Sequence, residues 1–334
     1  MLEKLFDIRR LALAILLFLF ASPLESRLAF GDFPRVQTVR LSDGRCLEYA
    51  EYGDPAGPLV LYFHGTPGSH LEVHAAASEL PASGIHILAI NRPGIGNSSY
   101  QHGRTIMGWP ADVTEFLEAT GRGEESFGIL GFSGGTPYAL ACAQVMPQRI
   151  TRIAIVSGHT SLGIPGVVPG KEDRFIEFFL RRPKLAKKAV KMTRKRLRKK
   201  PDKIVARITK RWDPSDRALV NGDPFMRRIL EKSLKHATLR GEHGVLTDTQ
   251  LLGSRWGFDL SQINGMPISI WHGQSDSIAP VSMGRYFHKQ LAGSTLHLKP
   301  SAGHVTMFKW HSEEIHKEFS ADRLANSPRS TINK

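Results

Sequence analysis

The stretch that decides the fold is "FGILGFSGGTPYAL", from Phe127 to Leu140. An apolar run enters a group of glycines around Ser133, and a second apolar run with Pro137 near its start follows. Proline is favoured in the first turn of a helix, so the stretch predicts a strand that turns sharply into a helix. Gly131 and Gly135 flank the serine and have no Cβ, which lets the strand and the helix come close together. The pattern therefore places one serine hydroxyl at the edge of a sheet.

A serine hydroxyl is a weak nucleophile unless a base removes its proton, so a histidine and an acid are expected elsewhere in the chain. Asp276 lies just beyond the apolar run "PISIWH" (Pro267–His272), and His304 follows the run "TLHLK" (Thr295–Lys299). Each candidate thus follows a strand, in the chain order Ser…Asp…His. We predict Ser133 as nucleophile, Asp276 as acid and His304 as base.

Two backbone N–H groups are candidates for binding the negative charge that forms during acyl transfer. "HGTPG" (64–68) follows an earlier apolar run, and its glycine-rich turn can present the N–H of Thr66. Gly134 lies at the predicted start of the helix after Ser133, where N–H groups have no partner inside the helix. The sequence therefore predicts an oxyanion hole formed by Thr66 and Gly134.

Short apolar runs alternate with helix-length segments through most of the chain, which favours a parallel sheet covered by helices on both faces. Two runs with alternating apolar and polar residues near the start, joined by Ser42-Asp43-Gly44, predict an antiparallel hairpin at one edge. We therefore predict the α/β class, with a mostly parallel sheet. The predicted central strands are 59–64, 85–91, 126–130, 150–157, 267–272 and 295–299, and the predicted helices between them are 71–79, 109–119, 136–145 and 280–291.

The interval 160–253 interrupts this alternation and is predicted to be a helical cap inserted into a core formed by 32–159 and 254–334. Its positive charge supports a separate unit: Lys171–Arg240 holds 24 Lys and Arg against 8 Asp and Glu, whereas the rest of the chain is nearly neutral. The segment 181–203 has no aromatic residue between its basic ones, so no nucleic-acid partner is expected. A solvated cationic face and a weak contact with an anionic membrane both remain open for the basic segment 181–211.

The first 31 residues differ from the rest of the chain. Lys4, Arg9 and Arg10 precede eleven apolar residues, Leu11–Ala21, a run that is too short to span a bilayer but typical of a secretory signal. We predict a signal peptide or an N-terminal anchor over 1–31, and hence an exported or membrane-associated protein. A cytoplasmic protein with an overextended start is the alternative.

Taken together, these motifs resemble the α/β-hydrolase fold superfamily, in particular its serine-nucleophile members with a helical cap. The matched stretches are "HGTPG" (64–68), "NRPGIGNSS" (91–99), "GFSGG" (131–135), "GQSDSIAP" (273–280) and "AGHVTMF" (302–308). The resemblance implies the same catalytic residues and the same oxyanion hole, and a mechanism that needs no metal or organic cofactor. Arg92 and Asn97 are expected to stabilise the loop after the third parallel strand, although that loop can also border the pocket.

The resemblance leaves the substrate open, because one fold supports many reactions. We expect hydrolysis of a carboxylic ester or related acyl compound, with Phe132 and Met307 in an apolar acyl pocket. Cleavage of an amide or a carbon–carbon bond, acyl transfer, and a non-catalytic binding protein are the alternatives. Dehalogenases and epoxide hydrolases of this fold carry an aspartate at the position of Ser133. The oligomeric state is not predicted.

Overall fold

A computed structural model describes residues 33–321 of the chain. Its centre is an eight-stranded sheet in the order β1-β2-β4-β3-β5-β6-β7-β8. β2 pairs antiparallel with both β1 and β4, and the other pairs are parallel. The strands are β1 (Val36–Arg40), β2 (Cys46–Gly53), β3 (Leu59–Phe63), β4 (His86–Ile90), β5 (Phe127–Phe132), β6 (Ile150–Val156), β7 (Ile268–Gly273) and β8 (Thr295–Lys299).

Twelve α-helices accompany the sheet in the described part of the chain. They are α1 (Leu80–Ser83), α2 (Trp109–Ala119), α3 (Thr136–Val145), α4 (Asp173–Arg181), α5 (Pro183–Lys199), α6 (Pro201–Thr209), α7 (Pro214–Gly222), α8 (Pro224–Ala237), α9 (His243–Gly253), α10 (Val281–Gln290), α11 (His304–Trp310) and α12 (Ser312–Lys317). The segment predicted as helix 71–79 instead forms a 3₁₀ segment, His70–Glu79. Its first N–H, on His70, donates to the Asn91 side chain at 2.7 Å, and this tertiary contact fixes where the segment begins.

The central strands explain why the sheet forms. β3, β4 and β5 are buried along their whole length, as expected of parallel strands with helices on both faces. Two apolar clusters fill the two faces of the sheet: Leu61 and Ile129 point into one, and Val60 and Leu130 into the other. The predicted α/β architecture with its antiparallel edge is confirmed.

Helices α4–α9 are inserted between β6 and β7, where the sequence predicts the cap, and we call these six helices the cap. The boundaries at 160 and 253 remain predictions. The predicted signal peptide or anchor over 1–31 lies outside the described residues. Within residues 33–321, no helix has both the length and the apolar character needed to cross a membrane.

Candidate functional site

Ser133 occupies the turn between β5 and α3, as predicted. The residue is buried and has a φ of +51°, in the left-handed region that non-glycine residues rarely adopt. A Cβ added to Gly135 would lie 2.0 Å from the carbonyl oxygen of Phe63, and one added to Gly131 would lie 3.1 Å from the Cβ of Ala139. The two glycines therefore allow the close packing that the sharp turn requires.

The two predicted oxyanion donors lie side by side. A Cβ added to Gly134 would lie 3.1 Å from the backbone N of Thr66 and 2.8 Å from its Cβ. Thr66 and Ser133 both line one cavity. The loop after β3 and the start of the turn after β5 thus meet beside the serine, because β3 and β5 are neighbours in the sheet.

His304 and Asp276 are brought together by the loops after β8 and β7. His304 Nδ1 lies 2.8 Å from Asp276 Oδ2, and both side chains are buried. The other carboxylate oxygen of Asp276 accepts the N–H groups of Ile278 and Ala279, at 2.9 and 2.8 Å. The two loops are joined directly, since Ser275 N donates to Ala302 O at 3.0 Å.

Further contacts hold His304 at its backbone and ring. The Ser157 hydroxyl donates to the His304 carbonyl at 2.9 Å, and the Phe132 ring lies 5.2 Å from the imidazole, measured between centroids. Ser157 follows β6, a place where a catalytic acid could also lie, but here it supports the histidine. The imidazole is therefore held in one orientation, with Nδ1 facing Asp276.

Asp216, on cap helix α7, binds the start of the helix that begins with His304. Its carboxylate accepts the N–H groups of His304, Val305 and Thr306 at 2.7, 3.0 and 2.8 Å, and the Thr306 hydroxyl at 2.9 Å. A carboxylate is favoured at a helix N-terminus, where N–H groups lack partners. The cap thus takes part in positioning the candidate base.

A second cap carboxylate lies beside Asp216. A Cβ on Gly303 would lie 2.1 Å from Asp213 Oδ2 and 2.6 Å from Asp216 Oδ2, so glycine is required where the loop passes the pair. Burial and the hydrogen bond to Asp213 raise the pKa of Asp216 to about 7, despite the N–H groups that favour its charged form. At Asp213, burial raises the pKa, but hydrogen bonds with Asp216 and Ser215 outweigh this effect and lower it.

A buried ion cluster supports the 64–66 loop, which carries the candidate oxyanion donor Thr66. The Arg92 guanidinium donates to the carbonyls of His64 and Gly65 at 2.6 and 2.9 Å, and to the Thr66 hydroxyl at 3.0 Å. Asp248, on cap helix α9, pairs with Arg92 at 2.8 Å and holds it there. The sequence predicts that Arg92 stabilises the loop in which it lies, whereas its guanidinium binds the 64–66 loop after β3, and its carboxylate partner comes from the cap.

The site opens into a cavity of about 900 Å³ between the core and the cap. Ser133, His304 and Phe132 line it, with apolar side chains of the cap opposite. Met307, which the sequence predicts in the acyl pocket, is instead buried in the core. Helix α11 turns Val305 and Phe308 toward the cavity, three residues apart on one face, so the intervening Met307 points into the sheet packing.

Glu48, His70 and His236 form a group of potential metal ligands among residues 33–321. One oxygen of Glu48 hydrogen-bonds to the His236 ring and to the Asn91 amide, and its other oxygen accepts two N–H groups of Asn97. Through these hydrogen bonds Glu48, in the core, contacts His236 of the cap.

Sequence reasoning missed Asp213, Asp216 and Asp248. The first two are acidic residues in a strongly basic segment, within "WDPSD", and that contrast is the signal that could have singled them out. Asp213 is also recognisable as a helix N-cap, since its side chain accepts the N–H groups of Ser215 and Asp216. Nothing in the local sequence links Asp216 to His304 or Asp248 to Arg92, because both contacts cross from the cap to the core.

Comparison with known proteins agrees with the fold described above. A family model described as alpha/beta hydrolase fold matches residues 58–309. Epoxide hydrolase B of Mycobacterium tuberculosis is 31% identical over 120 residues, which cover 34% of this chain and 33% of that protein. The chain thus matches about a third of this curated relative's length.

Two solved structures illustrate the shared fold. An esterase from Exiguobacterium antarcticum has a TM-score of 0.64 at 16% identity, over 87% of this chain and 99% of that one. A bromoperoxidase from Bacillus anthracis has a TM-score of 0.65 at 18% identity, over 85% of this chain and 99% of that one. At such identities the likeness concerns the fold alone. Since the family model spans most of the sequence, and the sheet with its inserted helices has the expected order, this chain belongs to the α/β-hydrolase fold family.

Proposed function

We propose that this protein is a serine hydrolase that cleaves a carboxylic ester or a related acyl compound. The observation that carries the proposal is the 2.8 Å contact between His304 and Asp276 at a cavity that Ser133 also lines. A nucleophile, a base and an oriented acid on loops after three different strands are what acyl transfer requires.

In the first half of the reaction, His304 takes the proton of the Ser133 hydroxyl as its oxygen attacks the acyl carbon. The carbonyl oxygen becomes negative and is bound by the N–H groups of Thr66 and Gly134. His304 then gives its proton to the leaving alcohol oxygen, and the bond between that oxygen and the acyl carbon breaks. Asp276 stabilises the imidazolium that exists between these two proton transfers.

In the second half, water takes the place of the alcohol. His304 removes a proton from the water as it attacks the acyl-enzyme, and the same N–H groups bind the second oxyanion. The imidazolium then protonates the Ser133 oxygen, and the carboxylic acid leaves. All steps use groups of this chain together with water.

The side chain at the turn favours an ester over an epoxide, although the curated relative is an epoxide hydrolase. Members of this fold that open epoxides or remove halide carry an aspartate there, whereas this chain has Ser133. The matched region covers a third of that relative, so its activity is not carried over.

A fluorophosphonate probe tests the proposal directly, because it forms a stable bond with an activated serine. We expect stoichiometric labelling of the folded protein, with the modified peptide containing Ser133, and none in Ser133→Ala. Hydrolysis of p-nitrophenyl esters should fall by about a thousand-fold or more in that variant. Ser275→Ala, which removes an exposed hydroxyl bound to the Pro300 carbonyl, is the matched control and should label normally. A folded wild-type protein that does not label would refute the proposal.

The pH dependence of hydrolysis follows from the charges around His304. Burial lowers the pKa of His304, but the carboxylates of Asp276, Asp216 and Glu72 outweigh burial and raise it above its ordinary value of 6.5. Because only the neutral imidazole can accept the serine proton, kcat/KM should fall with decreasing pH through a midpoint above 6.5.

Glu72→Gln should move that midpoint to lower pH, since it removes one carboxylate near the imidazole. Glutamine can still accept the contacts from Gly65 N and the Tyr62 hydroxyl at Glu72 Oε2, 2.8 and 3.1 Å, so the loop should keep its shape. The check is the pH profile of kcat/KM for a p-nitrophenyl ester in both proteins. A midpoint that stays in place or rises in Glu72→Gln would contradict this electrostatic account.

A further inference from the structure

Six basic side chains of the cap region line the cavity; Arg194 is half-buried and donates to the Leu239 carbonyl at 2.9 Å, and among the described residues the other five have no carboxylate partner. We call these five the basic rim: Lys171, Arg174, Arg207, Lys210 and Arg211. All are exposed, and among the described residues none forms a salt bridge. Other cap cations do find partners, as the pairs Arg181–Glu177, Arg227–Asp202 and Lys235–Glu231 show.

The rim is one cluster assembled from two chain segments. Arg207 lies in the last turn of α6, and Lys210 and Arg211 follow directly after the end of that helix; all three line the cavity. Lys171 precedes α4, and its ammonium group donates to the Arg211 carbonyl at 2.6 Å. That contact joins the two segments through a backbone carbonyl and not through a carboxylate.

The rim also lies close to the reaction centre. Lys171 N donates to the Ser277 carbonyl at 3.0 Å, one residue after Asp276. Two carboxyl groups, Glu72 and Glu172, line the same cavity. Burial raises the pKa of both, that of Glu72 to about 7, while the charge of Arg211 opposes this rise at Glu172; the basic side chains that line the cavity outnumber these two carboxyl groups.

The cavity wall between the rim and Ser133 is largely apolar. Phe132, Phe175, Ile229 and Phe308 are among the side chains that form it. A volume of about 900 Å³ accommodates a medium-length acyl chain. The cavity therefore combines an apolar chamber with cations at its edge, and guanidinium groups bind carboxylate and phosphate well.

We propose that the substrate is an amphiphilic acyl compound with an anionic group, a carboxylate or a phosphate, which the basic rim binds while the acyl carbon lies at Ser133. This inference rests on the proposed serine-hydrolase function. It names a part of the substrate that the catalytic residues do not determine.

A binding experiment tests the rim independently of catalysis. Calorimetry on Ser133→Ala would compare octyl phosphate with 1-octanol, which share a chain and differ in charge. We expect octyl phosphate to bind at least about tenfold more tightly at low salt, and the difference to shrink with added salt. Adding Arg174→Gln, Lys210→Gln and Arg211→Gln to Ser133→Ala should remove most of the preference.

Kinetics on the active protein give the second test. Mono-p-nitrophenyl esters of linear dicarboxylic acids would be compared with p-nitrophenyl esters of monocarboxylic acids of equal length. The rim triple variant should raise KM by about tenfold for the best dicarboxylic ester and leave the neutral ester unchanged. The control carries Lys195→Gln, Lys199→Gln and Lys203→Gln, the same charge change on exposed cap residues that do not line the cavity.

The outcomes separate the two proposals. If neutral esters are hydrolysed, but neither assay shows a charge preference that depends on the rim, the substrate inference is wrong and the hydrolase proposal stands. If no ester is hydrolysed and the fluorophosphonate does not label, the hydrolase proposal fails. Calorimetry then decides by itself whether the basic rim binds an anionic group. If the rim variant loses only binding to phosphatidylglycerol vesicles, the rim serves a membrane surface and the substrate inference is overturned.

Discussion

Asp276→Asn should reduce kcat for ester hydrolysis by about a thousand-fold to ten-thousand-fold while leaving the protein folded. Asp276 Oδ1 accepts two backbone N–H groups, from Ile278 and Ala279, at 2.9 and 2.8 Å. In the variant, the amide oxygen should keep those two bonds, because an NH₂ group cannot accept them. The NH₂ group would then face His304 Nδ1, which lies 2.8 Å from Asp276 Oδ2 in the present structure.

The consequence is a change of tautomer at the histidine. When Nδ1 must accept a hydrogen bond, the imidazole proton moves to Nε2, so Nε2 can no longer take the proton of Ser133. The measurement is kcat for a p-nitrophenyl ester, with the rate of fluorophosphonate labelling as a second readout. Both should fall together, since both depend on serine activation.

A control makes the same substitution away from the site and tests whether the change from aspartate to asparagine lowers activity by itself. Asp202→Asn makes the same chemical change at a largely exposed carboxylate that pairs with Arg227 in the cap. Its activity and thermal stability should stay close to those of the wild type. An Asp276→Asn protein with activity within about tenfold of the wild type would show that another group orients the imidazole.

Gly135→Ala should destabilise the fold by about 3 kcal/mol or more. The added Cβ would lie 2.0 Å from the carbonyl oxygen of Phe63 and 2.7 Å from its carbonyl carbon, both backbone atoms at the end of the central strand β3. A backbone group of a strand that is paired on both sides cannot move aside as a flexible side chain does. Helix α3 or strand β3 would therefore have to shift, which also displaces Ser133.

Urea unfolding monitored by tryptophan fluorescence gives the measurement. Gly222→Ala is the control, because a Cβ there meets no atom within 4 Å and the residue ends helix α7. We expect that variant to differ from the wild type by less than about 1 kcal/mol. Similar unfolding midpoints for Gly135→Ala and Gly222→Ala would show that the turn after β5 has more room than the structure indicates.

Much of the core could be predicted because its signals are local. The apolar runs that form β3, β4 and β5 are short and lie close to glycine or proline, a sequence pattern typical of buried strands. The structure shows these strands buried throughout. Ser133, Asp276 and His304 were identifiable because each follows such a run. Met307 was misplaced because its orientation depends on which face of α11 meets the sheet, and a seven-residue helix gives little pattern from which to judge.

The sequence alone determined the order of strands and helices, the turn at Ser133 and the chain order of the candidate triad, since backbone conformation and apolar periodicity are encoded within a few residues. Only the tertiary structure decided how the cap serves the site. Asp216 meets the N–H groups at the start of α11 from 88 residues away, and Asp248 meets Arg92 from 156 residues away. Such contacts arise from the packing of whole elements. The residues next to a carboxylate in a helix do not indicate which distant backbone group or cation it will bind.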